Sequence, residues 1–240
     1  MNTHHIIITG ASRGIGQAIA LLYASMGWNI SICCRHKSPD MEHTKAQITA
    51  AGGQYFAFYG DMGNPEDAEA FVTKSVQTFG IPEIFVNNAG ISHIGLLQDM
   101  TPQQWDDLLR TNLSSVFYTS RIIIPYFLYE KHGRIINISS VWGNVGASTE
   151  AAYSASKGGI NALTKALAKE LGCKVATNAE VAAECDLIFL AVKPQMMEAM
   201  LEPLRFILAE RTKRFVLCTM AAGLPVARIQ EMAGGDYPVI

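Results

Sequence analysis

Tyr153 and Lys157 stand four residues apart in the segment YSASK, within a stretch whose composition predicts a long helix. Residues four apart lie on one face of a helix, so the two side chains are expected to be neighbours. A nearby ammonium favours the phenolate form of a tyrosine, which otherwise forms only near about pH 10. The pair is therefore a candidate for exchanging a proton with a carbonyl oxygen. Tyr and Lys at this spacing are also common in helices that have no catalytic function, so the spacing alone does not identify the pair as catalytic.

Two polar segments strengthen the interpretation of this pair. NISS ends the strand that is predicted before the helix, and there Ser140 is able to hydrogen-bond the same carbonyl oxygen. NNAG ends the fourth predicted strand. Since the carboxyl ends of parallel strands meet at one edge of a sheet, these groups are expected to share a crevice with Tyr153.

A glycine-rich loop follows the first predicted strand. TGASRGIG places Gly10, Gly14 and Gly16 between that strand and its helix. Glycines allow a tight turn there and let backbone amides approach a pyrophosphate, whose charge the helix N-terminus favours. Glycines that serve only the turn are the alternative. The position between a strand and a helix favours a dinucleotide.

The residues after the second predicted strand indicate which dinucleotide. A free ribose 2′-hydroxyl usually meets an Asp or Glu at this place. Here the strand ends at Cys34 and Arg35 follows, with Arg13 nearby in the glycine loop. Arginine suits bidentate contact with a 2′-phosphate, so NADPH is favoured over NADH. A solvated cluster of charges, which would also include His36 and Lys37, is the alternative.

Short β-branched runs alternate with amphipathic stretches along the chain, a pattern typical of a parallel sheet flanked by helices. The fold class is therefore expected to be α/β, a Rossmann-like doubly wound parallel sheet. Five strands are predicted in the first part of the chain, namely HIIIT, NISICC, QYFAFYG, EIFVNNAG and GRIINISS. Asn64 and Pro65 predict the start of one helix, Pro102 that of another, and Gly172 the end of the helix that carries Tyr153.

Composition narrows the class of protein. The 240 residues are 49% hydrophobic and carry a net charge of −2, which favours a globular protein without affinity for nucleic acid or an anionic membrane. Five cysteines without a CxxC motif argue against disulfide and zinc frameworks. No signal peptide and no membrane span are expected, nor a metal site at His4 and His5, so a cytoplasmic location is predicted.

Residues 1–172 resemble a short-chain dehydrogenase/reductase of the 3-oxoacyl-carrier-protein reductase type. The resemblance rests on TGASRGIG, GDM, NNAG, TNLSSVF, IINISS and YSASK, in that order. It implies that Tyr153 is the general acid and that Lys157 favours its phenolate form and holds the ribose. It also implies that Ser140 orients the substrate carbonyl and that Asn112 supports a proton relay through water.

The resemblance further implies the residues that bind NADP(H). Asp61 would contact the adenine, and the residues of NNAG would line the floor of the cofactor site. The predicted cofactor-binding residues are Gly10, Ser12, Arg13, Gly14, Ile15, Gly16, Arg35, Asp61, Met62, Asn88, Ala89, Gly90, Tyr153 and Lys157.

The last part of the chain departs from this family. The strand and VNxVxPG turn expected after Leu171 have no counterpart in the sequence. Instead, residues 173–240 resemble the middle of the nucleotide-binding domain of pyrroline-5-carboxylate reductase, through FLAVKP and AAG. That resemblance would place near NADPH the residues Ala191, Val192, Lys193, Pro194, Ala221, Ala222 and Gly223.

The predicted organisation is a reductase core over residues 1–172 and a β/α fragment over residues 173–240 that completes or extends its sheet. CKVAT would fill the position of the missing sixth strand, and DLIFLAV would extend the edge. Because this tail lacks its own family's glycine loop and dimerisation domain, reduction of pyrroline-5-carboxylate is not expected.

Three hypotheses for function remain open. The first is NADPH-dependent reduction of a small-molecule or carrier-bound carbonyl, such as a 3-oxoacyl thioester, to a hydroxyl. The loop after Ser140 also resembles a subgroup that reduces an aminopentanone modification on elongation factor P. The second hypothesis is a dinucleotide-binding module without turnover, and the third is a relic that folds poorly. The family resemblance implies a homo-oligomer, and a dimer is the favoured form.

Overall fold

A computed structural model describes residues 4–173, 176–190, 192, 194–219 and 223–239. It divides the chain into two compact units, Met1–Ala162 and Leu163–Ile240. The boundary lies upstream of the predicted join after Gly172. The organisation into a reductase core and a β/α fragment therefore stays a prediction.

The first unit is built on one parallel sheet of five strands in the order β3-β2-β1-β4-β5. Every pairing in it is parallel. The strands are β1 His5–Ile8, β2 Asn29–Cys34, β3 Gln54–Tyr59, β4 Ile84–Asn87 and β5 Arg134–Asn137. This arrangement confirms the predicted Rossmann-like α/β class.

The central strand β1 shows why the sequence forms this sheet. All four of its residues are buried, as expected for a strand of a parallel sheet that is covered on both faces. Successive side chains point to opposite faces of a strand. Ile6 and Ile8 accordingly belong to one hydrophobic cluster, and Ile7 belongs to another.

Helices follow each strand of the first unit. They are α1 Gly14–Ser25, α2 Pro39–Ala50, α3 Pro65–Phe79, α4 Pro102–Leu109, α5 Ser115–Glu130, α6 Trp142–Val145 and α7 Ala151–Glu170, and α7 continues past Ala162 into the second unit. The predicted start of α3 is confirmed, since the Asn64 side chain accepts hydrogen bonds from the backbone N–H groups of Glu66 and Asp67. The predicted end of α7 is also confirmed: Gly172 has φ +67°, and the Cys173 N–H donates to the Ala168 carbonyl.

The prediction of a single long helix from Pro102 is wrong, because the helix is interrupted. A π-helical turn, Arg110–Ser114, separates α4 from α5. In this turn the Ser115 N–H donates to the carbonyl of Arg110, five residues earlier, so the turn holds one residue more than an α-helical turn. Asn112, at the centre of the turn, is fully buried and hydrogen-bonded to the backbone of Ile91, which accounts for the interruption.

The second unit has a two-stranded parallel sheet of its own, formed by β6 Leu187–Leu190 and β7 Val216–Thr219. Its helices are α8 Asn178–Glu184, α9 Met197–Leu201, α10 Arg205–Ala209 and α11 Val226–Ala233. A 3₁₀ turn, Glu202–Leu204, lies between α9 and α10 and contains Pro203. Proline lacks the N–H that an uninterrupted helix requires.

The expectation that DLIFLAV extends the first sheet is not met among the described residues. Strand β6 is hydrogen-bonded to β7, and residues of this unit form a separate hydrophobic cluster around Leu217 and Met197. Val239 forms an isolated parallel bridge with Leu217 of β7. Much of the strand predicted for CKVAT lies outside the described residues, as do Ala191, Lys193, Ala221 and Ala222. No described helix combines the length and the apolar composition that crossing a bilayer requires.

The buried His5 on β1 makes the stability of the fold sensitive to pH. Its Nδ1 lies 2.9 Å from the Gly80 carbonyl oxygen and its Nε2 lies 2.8 Å from Ser31 Oγ. Burial lowers the pKa of His5 to about 4. Below the ordinary histidine pKa of about 6.5, His5 binds a proton in the unfolded chain but stays neutral in the folded chain. The free energy of unfolding therefore decreases as the pH falls below this value.

We expect His5 to reduce the free energy of unfolding by about 2.5 kcal/mol between pH 7.5 and pH 4.5. Urea unfolding of the wild type and of His5→Gln across this range measures the effect. His43→Gln supplies the control, because it removes an imidazole from an exposed position of α2. Equal slopes for the wild type and His5→Gln would contradict the prediction.

Candidate active site

A cleft of about 450 Å³ opens where β1, β2 and β4 end. Eleven of the predicted cofactor-binding residues line it, namely Gly10, Ser12, Arg13, Gly14, Ile15, Arg35, Asp61, Met62, Asn88, Ala89 and Gly90. The other lining residues are Cys33, Cys34, Gly60, Ile91 and Thr111, which were not predicted as part of the site. Cys34 and Gly60 stand at or just after the carboxyl ends of β2 and β3, so their place in the topology was the available signal.

The glycine loop packs tightly against the end of β4. A Cβ on Gly10 would lie 2.8 Å from the Cα of Ala89, and one on Gly16 would lie 2.6 Å from the Gly10 carbonyl oxygen. Gly14 has φ +61°, and a Cβ there would meet nothing within 4 Å. Two glycines thus allow close packing, and the third leaves the loop open towards the cleft. These residues fit a pyrophosphate bound against the N-terminus of α1.

Hydrogen bonds join the ends of β1 and β4 beneath this loop. Thr9 Oγ1 accepts from the backbone N–H groups of Asn88 and Ala89, at 3.0 Å each. The Asn88 side chain donates in return to the carbonyl oxygens of Thr9 and Gly10, at 3.0 and 2.9 Å. The floor of the cleft therefore has a fixed backbone geometry.

Arg35 lies at the end of the cleft that is formed by β2 and β3. Its Nη2 donates to Thr111 Oγ1 at 3.0 Å and lies 3.5 Å from Asp61 Oδ1. Arg13 is far more exposed and lies 4.0 Å from Asp40 Oδ2. Two guanidinium groups therefore stand where the sequence predicts a 2′-phosphate, and each of them has an acidic neighbour.

Lys157 is the buried cation of the site, with only 4% of its surface exposed. Its Nζ donates to the Ile138 carbonyl at 2.8 Å and lies 5.6 Å from the centre of the Tyr153 ring. A Cβ on Gly90 would lie 3.7 Å from this nitrogen. Burial lowers the pKa of Lys157 to about 8. The ammonium is thus held between the cleft floor and the Tyr153 ring.

Asn112 links the loop after β4 to helix α7. Its Oδ1 accepts from the Ile91 N–H and its Nδ2 donates to the Ile91 carbonyl, both at 2.8 Å. The same Nδ2 donates to Ser156 Oγ at 3.1 Å, and Ser156 Oγ donates to the Tyr153 carbonyl at 2.7 Å. The side chain of Asn112 therefore fixes the backbone that carries the candidate acid.

The loop after β5 packs against the same helix. Ser139 Oγ donates to the Lys157 carbonyl at 3.1 Å, and a Cβ on Gly143 would lie 2.6 Å from the Lys157 carbonyl carbon. Ser140 Oγ accepts from the Trp142 N–H at 3.2 Å, which orients its hydroxyl group. This packing holds the Ser140 loop against the segment of α7 that contains Tyr153 and Lys157.

Two hydrogen bonds join the loop after β4 to the segment at the start of α7. Ser92 Oγ donates to Glu150 Oε1 at 2.7 Å, and the Gly95 N–H donates to the Thr149 carbonyl at 2.8 Å. Thr149 has φ +64°, a conformation that is unfavourable for a β-branched residue. The strained backbone lies four residues before Tyr153, where such outliers commonly belong to a functional site.

Comparisons with known proteins show which family the chain is similar to. The family model for short chain dehydrogenases matches residues 4–185. The chain is 38% identical over 172 residues to the 3-oxoacyl-[acyl-carrier-protein] reductase of Staphylococcus aureus, and the match covers 72% of this chain and 70% of that protein. It is 36% identical over 171 residues to the enzyme of the same name from a Synechocystis species, covering 71% and 69%.

A solved structure shows the same relationship in three dimensions. It is the crystal structure of a metagenomic short-chain oxidoreductase in complex with NADP, which is 33% identical to the chain. The superposition has a TM-score of 0.67 and covers 73% of this chain and 84% of that one. From the family match and these shared identities together, the chain belongs to the short-chain dehydrogenase family of oxidoreductases.

Proposed function

We propose that the chain catalyses the NADPH-dependent reduction of a carbonyl, of the kind found in a 3-oxoacyl thioester, to a hydroxyl. The observation that carries this proposal is the buried ammonium of Lys157, which lies beside the Tyr153 ring and near Gly90 of the dinucleotide cleft. When bound, NADPH supplies the hydride. The side chains of the protein must then deliver a proton to the carbonyl oxygen and hold that oxygen in place.

Each residue of the candidate site has a role in this proposal. Tyr153 donates its phenolic proton to the carbonyl oxygen, and the Lys157 ammonium stabilises the resulting phenolate. Ser140, whose hydroxyl is oriented by the Trp142 N–H, donates a hydrogen bond to the same oxygen. Asn112 positions Tyr153 through Ser156 and supports the path by which the proton is replaced.

The choice of NADP(H) rests on the two arginines near the end of β2. The chain has no carboxylate at the residue that follows this strand, where a ribose 2′-hydroxyl would otherwise be held. Arg35 lines the cleft and Arg13 stands on the glycine loop. The relative that was solved in complex with NADP supports the same choice.

The substrate and the assembly are inferred from the relatives. Two of them carry the name 3-oxoacyl-[acyl-carrier-protein] reductase, which favours a carrier-bound substrate for this chain. The aminopentanone type of substrate remains the alternative within the same chemistry. We propose that the chain forms a homodimer and is located in the cytoplasm.

A dinucleotide-binding protein without turnover is the second candidate. It is favoured by the sequence after Leu171, which has no counterpart of the VNxVxPG turn that would hold the nicotinamide amide. Hydride transfer requires the reacting atoms in near-attack geometry, so loss of this support lowers the rate without abolishing binding.

Replacing the candidate acid separates the two functions. We expect the wild type to oxidise NADPH in the presence of a 3-oxoacyl thioester and Tyr153→Phe to lower kcat/KM by at least about 100-fold, because the proton donor is lost. The exposed Tyr129 supplies a matched control, and Tyr129→Phe should retain the wild-type rate. If the wild type is no faster than Tyr153→Phe while both bind NADPH, the candidate without turnover is the correct one.

The buried lysine predicts how nucleotide binding depends on pH. The pKa of Lys157 is lowered to about 8 by burial, so the ammonium that would hold the ribose is lost as the pH rises through this value. We expect the Kd of NADPH to increase by about fivefold between pH 8 and pH 9, measured by the fluorescence of bound NADPH.

Two variants control this measurement. Lys157→Met should bind NADPH weakly and without this pH dependence, whereas Lys165→Met, at an exposed position of the same helix, should follow the wild type. An unchanged Kd of the wild type across the range would show that the ammonium of Lys157 does not hold the cofactor.

A further inference from the structure

The arginine expected to bind a 2′-phosphate is already engaged with an acidic side chain of the cleft. We propose that Asp61 determines nucleotide specificity by occupying Arg35 and so limiting the preference for 2′-phosphorylated nucleotides. This inference rests on the proposed function, since it concerns the NADP(H) cleft. It adds to the expected contact of Asp61 with the adenine a second role, exerted through Arg35.

One nitrogen of Arg35 makes both contacts. Nη2 donates to Thr111 Oγ1 at 3.0 Å and forms the ion pair with Asp61 Oδ1 at 3.5 Å. All three residues line the cleft. A phosphate that takes up bidentate contact with this guanidinium must therefore displace it from Asp61 or share it with a second anion.

Asp61 is held in place independently of Arg35. Its Oδ1 accepts from the Gly63 N–H at 2.9 Å, and its own N–H donates to Asp67 Oδ2 at 2.8 Å. The carboxylate is 28% exposed, against 43% for the Arg35 side chain. Because the acid is the more fixed partner, it is the arginine that must move when a phosphate arrives.

The pair opposes only one class of nucleotide. A 2′-phosphate carries between one and two negative charges near neutral pH, and it competes with Asp61 for the Arg35 guanidinium. A nucleotide with a free 2′-hydroxyl requires no release of Arg35. Arg13, the other arginine of the cleft, lies 4.0 Å from a different acid, Asp40, so a contact between Arg13 and the phosphate does not release Arg35 from Asp61. Removing the charge of Asp61 therefore increases the affinity for the phosphorylated nucleotide selectively.

The experiment compares two fragments of the cofactor, 2′,5′-ADP and 5′-AMP, by calorimetric titration of the whole chain. In Asp61→Asn the amide oxygen still accepts from the Gly63 N–H, so the local fold is retained while the charge is removed. We expect the ratio of the two affinities to shift towards 2′,5′-ADP by about fivefold. A common loss of affinity for both fragments, from a lost adenine contact, leaves this ratio unaffected.

Two further variants identify the mechanism. Asp40→Asn removes an equal charge from the acid beside Arg13 and should change the ratio by less than about twofold, because that pair is exposed. In an Arg35→Gln background, Asp61→Asn should no longer change the ratio, because the occupied guanidinium is gone. If Asp61→Asn leaves the ratio unchanged in the wild-type background, or changes it equally in the Arg35→Gln background, the inference is wrong.

The same titrations separate this inference from the proposed function. The wild type alone tests the choice of NADP(H), which fails if 2′,5′-ADP binds no more tightly than 5′-AMP. The response to Asp61→Asn tests the role of Asp61, whichever fragment the wild type prefers.

Discussion

The hydrogen bonds between the ends of β1 and β4 are the constraint on which the site depends. Thr9 and Asn88 exchange side-chain and backbone contacts across two neighbouring strands, and this fixes the edge from which the glycine loop and the cleft floor begin. Gly10 and Gly16 are required because a Cβ on Gly10 would collide with the backbone of Ala89, and one on Gly16 would collide with the Gly10 carbonyl oxygen. The requirement for a small residue in the loop thus follows from the packing of the loop as much as from any ligand.

A second set of contacts brings the reactive groups to this edge. Lys157 is buried with one backbone carbonyl as its hydrogen-bond acceptor, and burial of a cation has a cost that appears as its lowered pKa. Asn112 and Ser156 fix the backbone around Tyr153 by contacts that pass through two elements of the fold. The site is therefore held by tertiary hydrogen bonds, with Tyr153 and Lys157 on helix α7 and Ser140 in the loop after β5.

Local patterns predicted most of the first unit. The strands were visible as β-branched runs and the start of α3 as an Asn–Pro pair, because these features depend on neighbouring residues only. The π-helical turn was missed because its cause, the contact of Asn112 with Ile91, joins residues 21 positions apart. The pairing of Arg35 with Asp61 and the separate sheet of β6 and β7 were missed for the same reason, since spacing along the chain does not reveal which partner a side chain or strand will choose.

The π-helical turn between α4 and α5 also determines the direction in which the side chains of α5 point around the helix axis. It uses one residue more than an α-helical turn, so every side chain of α5 is rotated by roughly 100° from the position that an uninterrupted helix would give it. The buried face of α5, which includes Val116, Thr119 and Ile123, has this rotation. The rotation of α5 therefore depends on the number of residues between α4 and α5 as well as on their identity. The hydrogen bonds of the Asn112 amide stabilise the turn that holds the extra residue.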